Sequence, residues 1–214
     1  MSLVLHNFFR SSTSVRVRAA LNLKGLAYDY VPYVLRKGET RAPGYLALNP
    51  QGKVPTLVTD RGPLSQSLAI VEWLDETHPE PPLLPADPWG RARVRSLAHA
   101  IAMDVHPLNN LPVLFHLRDA YGVDEAGQRD WFAKWVTAAF EALETRLSRE
   151  PETGRFCHGD TPGLADLCLF AQVLNNRRFD VALDPYPTIA RIHAACMEIP
   201  AFADAAPERQ PDAE

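Results

Sequence analysis

The chain has 214 residues, 46% hydrophobic and 22% charged, enough for one large domain or two small ones with a proper core. A net charge of −4 without a basic tract argues against a nucleic-acid partner, and no stretch reaches the roughly 18 apolar residues of a membrane span. Three widely spaced cysteines, Cys157, Cys168 and Cys196, suit buried free thiols in a reducing cytoplasm, and the absence of CxxC or HExxH spacing argues against a metal.

The first 78 residues alternate short apolar runs with helical patterns. "SLVLHNF" (2–8) predicts a strand, followed by a helix from Ser12 to Lys24 that Gly25 stops. "AYDYVPYVL" (27–35) predicts a second strand, 40–48 a short helix, and "VPTLVT" (54–59) a third strand. A turn at Arg61-Gly62 leads through Gly62-Pro63-Leu64 into a helix over 66–77, with Leu68, Val71 and Leu74 on one face. The order βαβ-α-ββα predicts a small α/β domain with helices packed on a four-stranded mixed sheet.

"HPEPPLLPADPWG" (78–90) holds five prolines in thirteen residues and reads as a stiff connector. The expected division is therefore a first domain over 1–80, a linker over 81–90 and an all-helical domain over 91–214. Val94, Leu97, Ala98, Ile101, Ala102, Val105 and Leu108 form an apolar stripe; Trp131 to Leu143, Leu164 to Arg178 and Thr188 to Met197 predict further helices. Arg91, Arg93 and Arg95 are expected to spread around the first of these as a solvated face.

Arg10, Ser11, Ser12 and Thr13 stand where the opening strand gives way to a helix. One serine oxygen caps the helix. Arg10, however, sits at the positive end of the helix dipole, a conflict that a bound anion resolves through spare N–H groups and a bidentate guanidinium. Val54-Pro55 reads either as an edge-strand proline or as a cis bond that turns the Val54 backbone outward, able to pair with an extended peptide. Gln66-Ser67 opens the next helix, where Ser67 either caps or takes a carboxylate. Pro107 and Pro112 open a long helical pattern beside His106, Asn109 and Asn110, which suggests the wall of a cleft.

"RSSTSVRVRAALNLKG", "NPQGKVPTL", "QSLAIVEWL", "DVHPLNN", "ADLCL" and "RRFDVALDPYPTI" resemble the zeta class of glutathione transferases, which includes maleylacetoacetate and maleylpyruvate isomerases. The resemblance runs from about residue 3 to Gln210-Pro211. It implies a thioredoxin-like first domain followed by a helical-bundle domain (the glutathione transferase fold), a homodimer, and glutathione as cofactor. By the resemblance, Val54 beside Pro55 pairs with the cysteinyl backbone of glutathione, Gln66 and Ser67 hold its γ-glutamyl end, and Lys53 approaches its glycine carboxylate. The thiol then lies at Ser11–Thr13, with Ser11 the favoured thiolate donor and Ser12 close behind.

A cysteine thiol titrates near pH 8.5, at about a few per cent thiolate at neutral pH. The helix dipole contributes about 0.3–1 kcal/mol toward the anion, and a donated hydroxyl about 1.5–3 kcal/mol more. Together they bring the thiol near neutrality. The resemblance implies isomerisation of a cis enedione acid by addition and loss of that thiolate, with Arg10 and Arg178 as cations for the substrate carboxylates and His106, Asn109 and Asn110 lining the substrate pocket. A general transferase or α-haloacid dehalogenase, or a glutathione-binding protein without catalysis, are the competing readings. The chain departs from the class at Thr13, where many members carry cysteine, and at Leu111-Pro112, where arginines often follow.

Overall fold

A computed structural model describes residues 3–214. The chain divides into two compact units, residues 1–83 with 197–214, and residues 84–196.

The first unit is built on a four-stranded sheet of order β2-β1-β3-β4, from β1 (Val4–Asn7), β2 (Asp29–Pro32), β3 (Thr56–Thr59) and β4 (Gly62–Ser65). β1 runs parallel to β2 and antiparallel to β3, and β3 pairs antiparallel with β4. Helices α1 (Ser12–Leu23) and α3 (Ser67–Thr77) pack together, and α2 (Pro43–Leu48) precedes β3. Leu5 and Leu57 face each other in register and are fully buried, with Val17, Leu21, Ile70 and Leu74 completing the core. The predicted order βαβ-α-ββα and mixed sheet are present.

The strands are shorter than predicted. Ser2, at the start of the expected first strand, lies outside the described residues. β2 stops at Pro32 because its partner β1 ends at Asn7; a 3-10 turn, Leu35–Lys37, follows and closes on Gly38 at φ 71°. β3 starts at Thr56 because Pro55 has no N–H to donate to a ladder.

The helical unit contains α4 (Pro88–Ala102), α5 (Leu111–Tyr121), α6 (Glu125–Arg149), α7 (Leu164–Asn176) and α8 (Pro187–Met197). α4 starts inside the expected 81–90 linker, because the Asp87 side chain caps it by accepting from Gly90 N–H at 2.7 Å and Pro88 sits in the first turn. The connector before it is pinned to the first unit. Lys24 Nζ donates to Asp75 at 2.8 Å and to the Pro81 carbonyl at 2.6 Å, and Leu83 N–H donates to Asp75.

The apolar stripe expected to run to Leu108 belongs to two structures. α4 ends at Ala102, and residues 103–109 form turns that still bury Val105. Pro107 falls in those turns, and Pro112 sits in the first turn of α5, where a missing N–H costs nothing. The expected doubly opened helix is therefore two helices with a break.

Two further expectations change. Arg93 is 6% exposed rather than solvated: it donates to Glu150 at 2.6 Å, to the Cys157 carbonyl at 2.8 Å and to Thr153 at 2.9 Å. Residues 197–214, read from sequence as part of the helical domain, group with the first unit. Their α9 (Pro200–Ala203) packs on α1, with Asn22 donating to the Ala201 carbonyl at 3.0 Å and Arg18 to that of Ala205. The three cysteines are buried and free, as expected.

Candidate active site

The hydroxyl cluster is a directed chain of hydrogen bonds in the first unit. Ser11 is the N-cap of α1, and its oxygen accepts from Ser14 N–H at 3.3 Å. Thr13 Oγ1 donates to the Val54 carbonyl at 3.1 Å. With its hydrogen spent there, Thr13 Oγ1 is the acceptor in its 2.8 Å contact with Ser11 Oγ. The Ser11 hydroxyl hydrogen therefore points at Thr13. Ser12 is buried at 5% exposure, while Ser11 and Thr13 are half-buried.

Thr13 thereby ties the start of α1 to the loop before β3, and that loop is itself braced. The Lys53 carbonyl accepts from Tyr45 Oη at 2.6 Å and from Asn49 Nδ2 at 2.8 Å. Both also reach Thr56 Oγ1, at 3.0 and 3.1 Å. Burial is the main cause that raises the Tyr45 phenol above its ordinary value, so it stays a donor. The Val54–Pro55 bond is cis, one of the two alternatives read from sequence. The Lys53 side chain is exposed.

α3 begins without a side-chain cap. Gln66 takes the N-cap position at φ 73°, and Ser67, expected as a possible cap, is instead the first helical residue. The Gln66 amide donates to Gln51 Oε1 at 2.9 Å. Behind Ser67 lies Arg16, 1% exposed, whose Nη1 donates to Ser67 Oγ at 3.4 Å. Arg16 Nε and Nη2 are buried without a hydrogen-bond partner. An open helix N-terminus, a buried serine hydroxyl and a buried guanidinium with spare donors form a place suited to a carboxylate. This donor set fits glutathione, whose two ends are carboxylates.

Arg10 is half-buried. Its guanidinium lies 4.8 Å from the Phe9 ring centroid and 3.6 Å from Glu214, so part of its conflict with the helix dipole is met by the chain's own carboxylate.

His106, Asn109, Asn110 and Arg178 belong to the helical unit. Asn110 caps α5, its side chain accepting from Leu111 N–H at 2.8 Å. Asn109 is buried; its amide donates to the Phe132 carbonyl at 3.1 Å, and its Oδ1 has no partner. Phe132 in turn stacks on Phe179, centroids 3.8 Å apart and planes 8° apart. That stack anchors the 3-10 turn Arg177–Phe179, closed by Asp180 at φ 55°, and leaves the Arg178 side chain exposed. Asn109 and Arg178 thus share one aromatic anchor, while Asn110 does the work of a helix cap. His106 is half-buried in the turns after α4.

Sequence reasoning passed over Tyr45, Asn49, Thr56, Gln51 and Arg16. All but Tyr45 lie within the motifs "NPQGKVPTL" and "RSSTSVRVRAALNLKG", but each matters through a partner brought near by the fold.

Comparison with known proteins accords with this geometry. Residues 10–77 match the family "Glutathione S-transferase, N-terminal domain", and residues 113–204 match "Glutathione S-transferase, C-terminal domain". A maleylpyruvate isomerase from a Ralstonia species is 50% identical over 97% of this chain and 98% of its own. A holo structure of maleylpyruvate isomerase, described as a bacterial glutathione S-transferase in the zeta class, superposes with a TM-score of 0.97 at 50% identity, covering 100% of both chains. The structure of a maleylacetoacetate isomerase from Methylobacterium extorquens with bound malonate and glutathione superposes with a TM-score of 0.95 at 43% identity over 99% of each chain. Two units, a thioredoxin-like sheet and a helical bundle, define a glutathione transferase fold. The chain belongs to the zeta class of the glutathione transferases, the family of the maleylacetoacetate and maleylpyruvate isomerases.

Proposed function

We propose that this chain is a glutathione-dependent cis–trans isomerase of a maleyl acid, maleylacetoacetate or maleylpyruvate. The observation that carries this reading is the hydroxyl relay at the start of α1, tied through Thr13 to the Val54 carbonyl. It stands in a chain 50% identical to a maleylpyruvate isomerase.

When bound, glutathione supplies a thiolate nucleophile that adds reversibly to the conjugated double bond. The chain's residues do the rest. Val54 offers its backbone to the tripeptide. Gln66, Ser67 and the α3 N-terminus receive the γ-glutamyl carboxylate, and the exposed Lys53 faces the other end.

Ser11 holds the thiolate. Its hydroxyl hydrogen turns from Thr13 Oγ1 to the sulfur, exchanging a neutral hydrogen bond for one to a charge, which is roughly twice as strong. Ser12, more deeply buried, stands behind it. Arg10 and Arg178 take the carboxylates of the acid, and their charge also favours the electron-rich oxygen that develops on the substrate. His106 and Asn109 offer further polar groups to the acid.

The chain is further proposed to act as a homodimer in the cytoplasm. Trp89 and Tyr121 stand 75% and 72% exposed in the helical unit, large apolar surfaces suited to a second copy. Its buried free thiols suit a reducing compartment. Light scattering of the purified chain tests the dimer.

Spectrophotometric assay of maleylacetoacetate and maleylpyruvate, with and without glutathione, tests the activity. Isomerisation of either acid only when glutathione is present is the expected result. Isomerisation without glutathione overturns the mechanism, and turnover of chloroacetate with neither acid isomerised replaces the function with dehalogenation.

A further inference from the structure

Both polar backbone groups of Phe9 are held, the N–H by a residue from the far end of the chain and the carbonyl by one on the helix that follows. Phe9 N–H donates to Asp212 Oδ2 at 3.4 Å. The Phe9 carbonyl accepts from Arg18 Nη2 at 2.8 Å. The neighbouring Phe8 carbonyl accepts from Ser11 N–H at 3.0 Å and from Arg18 Nη1 at 3.5 Å, closing the turn that delivers Ser11. The other oxygen of Asp212 accepts from the Tyr30 hydroxyl on β2. Tyr30 is in register with Leu5 of β1, so Asp212 spans the sheet edge and the loop that leaves β1.

The segment carrying Asp212 is fastened by the same guanidinium. Arg18 Nε and Nη2 donate to the Ala205 carbonyl at 3.1 and 2.9 Å, and Nη1 to Asn7 Oδ1 at 2.8 Å. Gln210 folds the segment on itself, its amide donating to the carbonyls of Asp204 at 2.7 Å and Ala206 at 2.9 Å. Arg18 is fully buried on α1, five residues beyond Thr13. One rigid cation therefore grips the segment 204–212, the Phe8–Phe9 backbone and, through its helix, the hydroxyl cluster.

We propose that Asp212 is a positioning residue for the hydroxyl cluster: with Tyr30 and Arg18 it clamps the Phe9 backbone and so sets where Ser11 stands against the thiol. The proposal rests on the reading that Ser11 holds the thiolate. A docked segment that served only to cover the core would need apolar contact alone. Asp212 instead directs a carboxylate at the amide of the residue two before Ser11. Because a hydrogen bond to a thiolate is steeply angle-dependent, a small shift of that turn weakens it.

Asp212→Ala, Asp212→Asn and Tyr30→Phe test the clamp by two readouts. The first is ultraviolet difference titration of the bound glutathione thiol. The second, on the protein without glutathione, is hydrogen exchange of the Phe9 and Ser11 amides. Asp212→Ala is expected to raise the bound thiol pKa by about half a unit or more, with kcat near neutral pH falling about threefold or more and recovering at higher pH. The KM for glutathione should move less than about twofold, since the Val54 and Ser67 contacts are untouched. The Phe9 amide should exchange about tenfold faster. Asp212→Asn, which keeps an acceptor for Phe9 N–H, should recover most of each change.

Thiol pKa and kcat both at wild-type values in Asp212→Ala overturn the positioning role, whatever Phe9 exchange or the melting temperature does. If that variant fails to fold, Tyr30→Phe decides by the same readings: a smaller shift in the same direction supports the clamp, and none overturns it. Should the wild-type thiol titrate as in plain buffer, the thiolate reading fails by itself. Phe9 exchange still judges the clamp.

Discussion

Thr13 Oγ1 donates its hydrogen to the Val54 carbonyl at 3.1 Å and thereby fixes which way the Ser11 hydroxyl points. Thr13→Val removes that bond at a cost of about 0.5–1.5 kcal/mol of stability. It also removes the acceptor that now holds the Ser11 hydrogen. The bound thiol should then titrate at the wild-type pH or lower. Ser11→Ala should raise it by about one unit or more, losing a hydrogen bond to a charge of about 1.5–3 kcal/mol. Difference titration of both variants checks this; a rise in Thr13→Val as large as in Ser11→Ala would transfer the thiolate to Thr13.

Arg178 stands exposed on a turn that the Phe179–Phe132 stack anchors. Arg178→Met should leave that stack and the fold intact while removing one cation for the acid. The expected outcome is a rise of about tenfold or more in KM for the maleyl acid, from a charged hydrogen bond of about 1.5–3 kcal/mol, with the KM for glutathione unchanged. Steady-state kinetics with each substrate varied in turn separates the two.

The loop that presents Val54 depends on Tyr45. Tyr45→Phe deletes the 2.6 Å bond to the Lys53 carbonyl and the 3.0 Å contact with Thr56, leaving Asn49 to hold both. Urea unfolding should show a loss of about 1–2 kcal/mol. Calorimetry with glutathione should show weaker binding without any change in bound thiol pKa, since the hydroxyl cluster is untouched.

His193 makes acid stability predictable. It is 6% exposed, stacks on Phe170 with centroids 5.3 Å apart, and its Nε2 accepts from Arg177 Nη2 at 3.1 Å, which needs the neutral ring. Burial first, and Arg177 second, push its pKa down to about 4. The unfolded chain binds that proton near pH 6.5 and the folded chain only near 4. The contribution is therefore complete above pH 6.5 and is lost as pH falls toward 4, up to about 3 kcal/mol. Denaturant unfolding at pH 7 and pH 4.5 should show this slope, and His193→Gln should flatten it.

Much of the architecture could be read from local signals. The α1 start at the Ser11 cap, its stop before Gly25, the βαβ-α-ββα order and the proline-rich connector each follow from residues within a few positions of one another. Where the reading erred, a distant partner or a neighbouring cap had the decision. β2 ends early because β1 does. Arg93 is buried because Glu150, Thr153 and the Cys157 carbonyl converge on it. α4 starts early because Asp87 caps it. Asn110, expected beside Asn109 in the pocket, has a second task the reading did not assign: it caps α5, which the following Leu111-Pro112 already signalled.

By itself the sequence determined the element order, the class through its motifs, and the candidate groups: hydroxyls at a helix start, Val54 before proline, Gln66-Ser67 at another helix start, and arginines for an acid. The tertiary structure alone decided how those groups are wired. It sends the Thr13 hydrogen to Val54, sets Arg16 behind Ser67, braces Lys53 with Tyr45, and returns Asp212 to Phe9. The physical reason is range. Caps, turns and periodicity are set by neighbours along the chain, whereas a hydrogen's direction depends on acceptors that only folding brings within 3 Å or so.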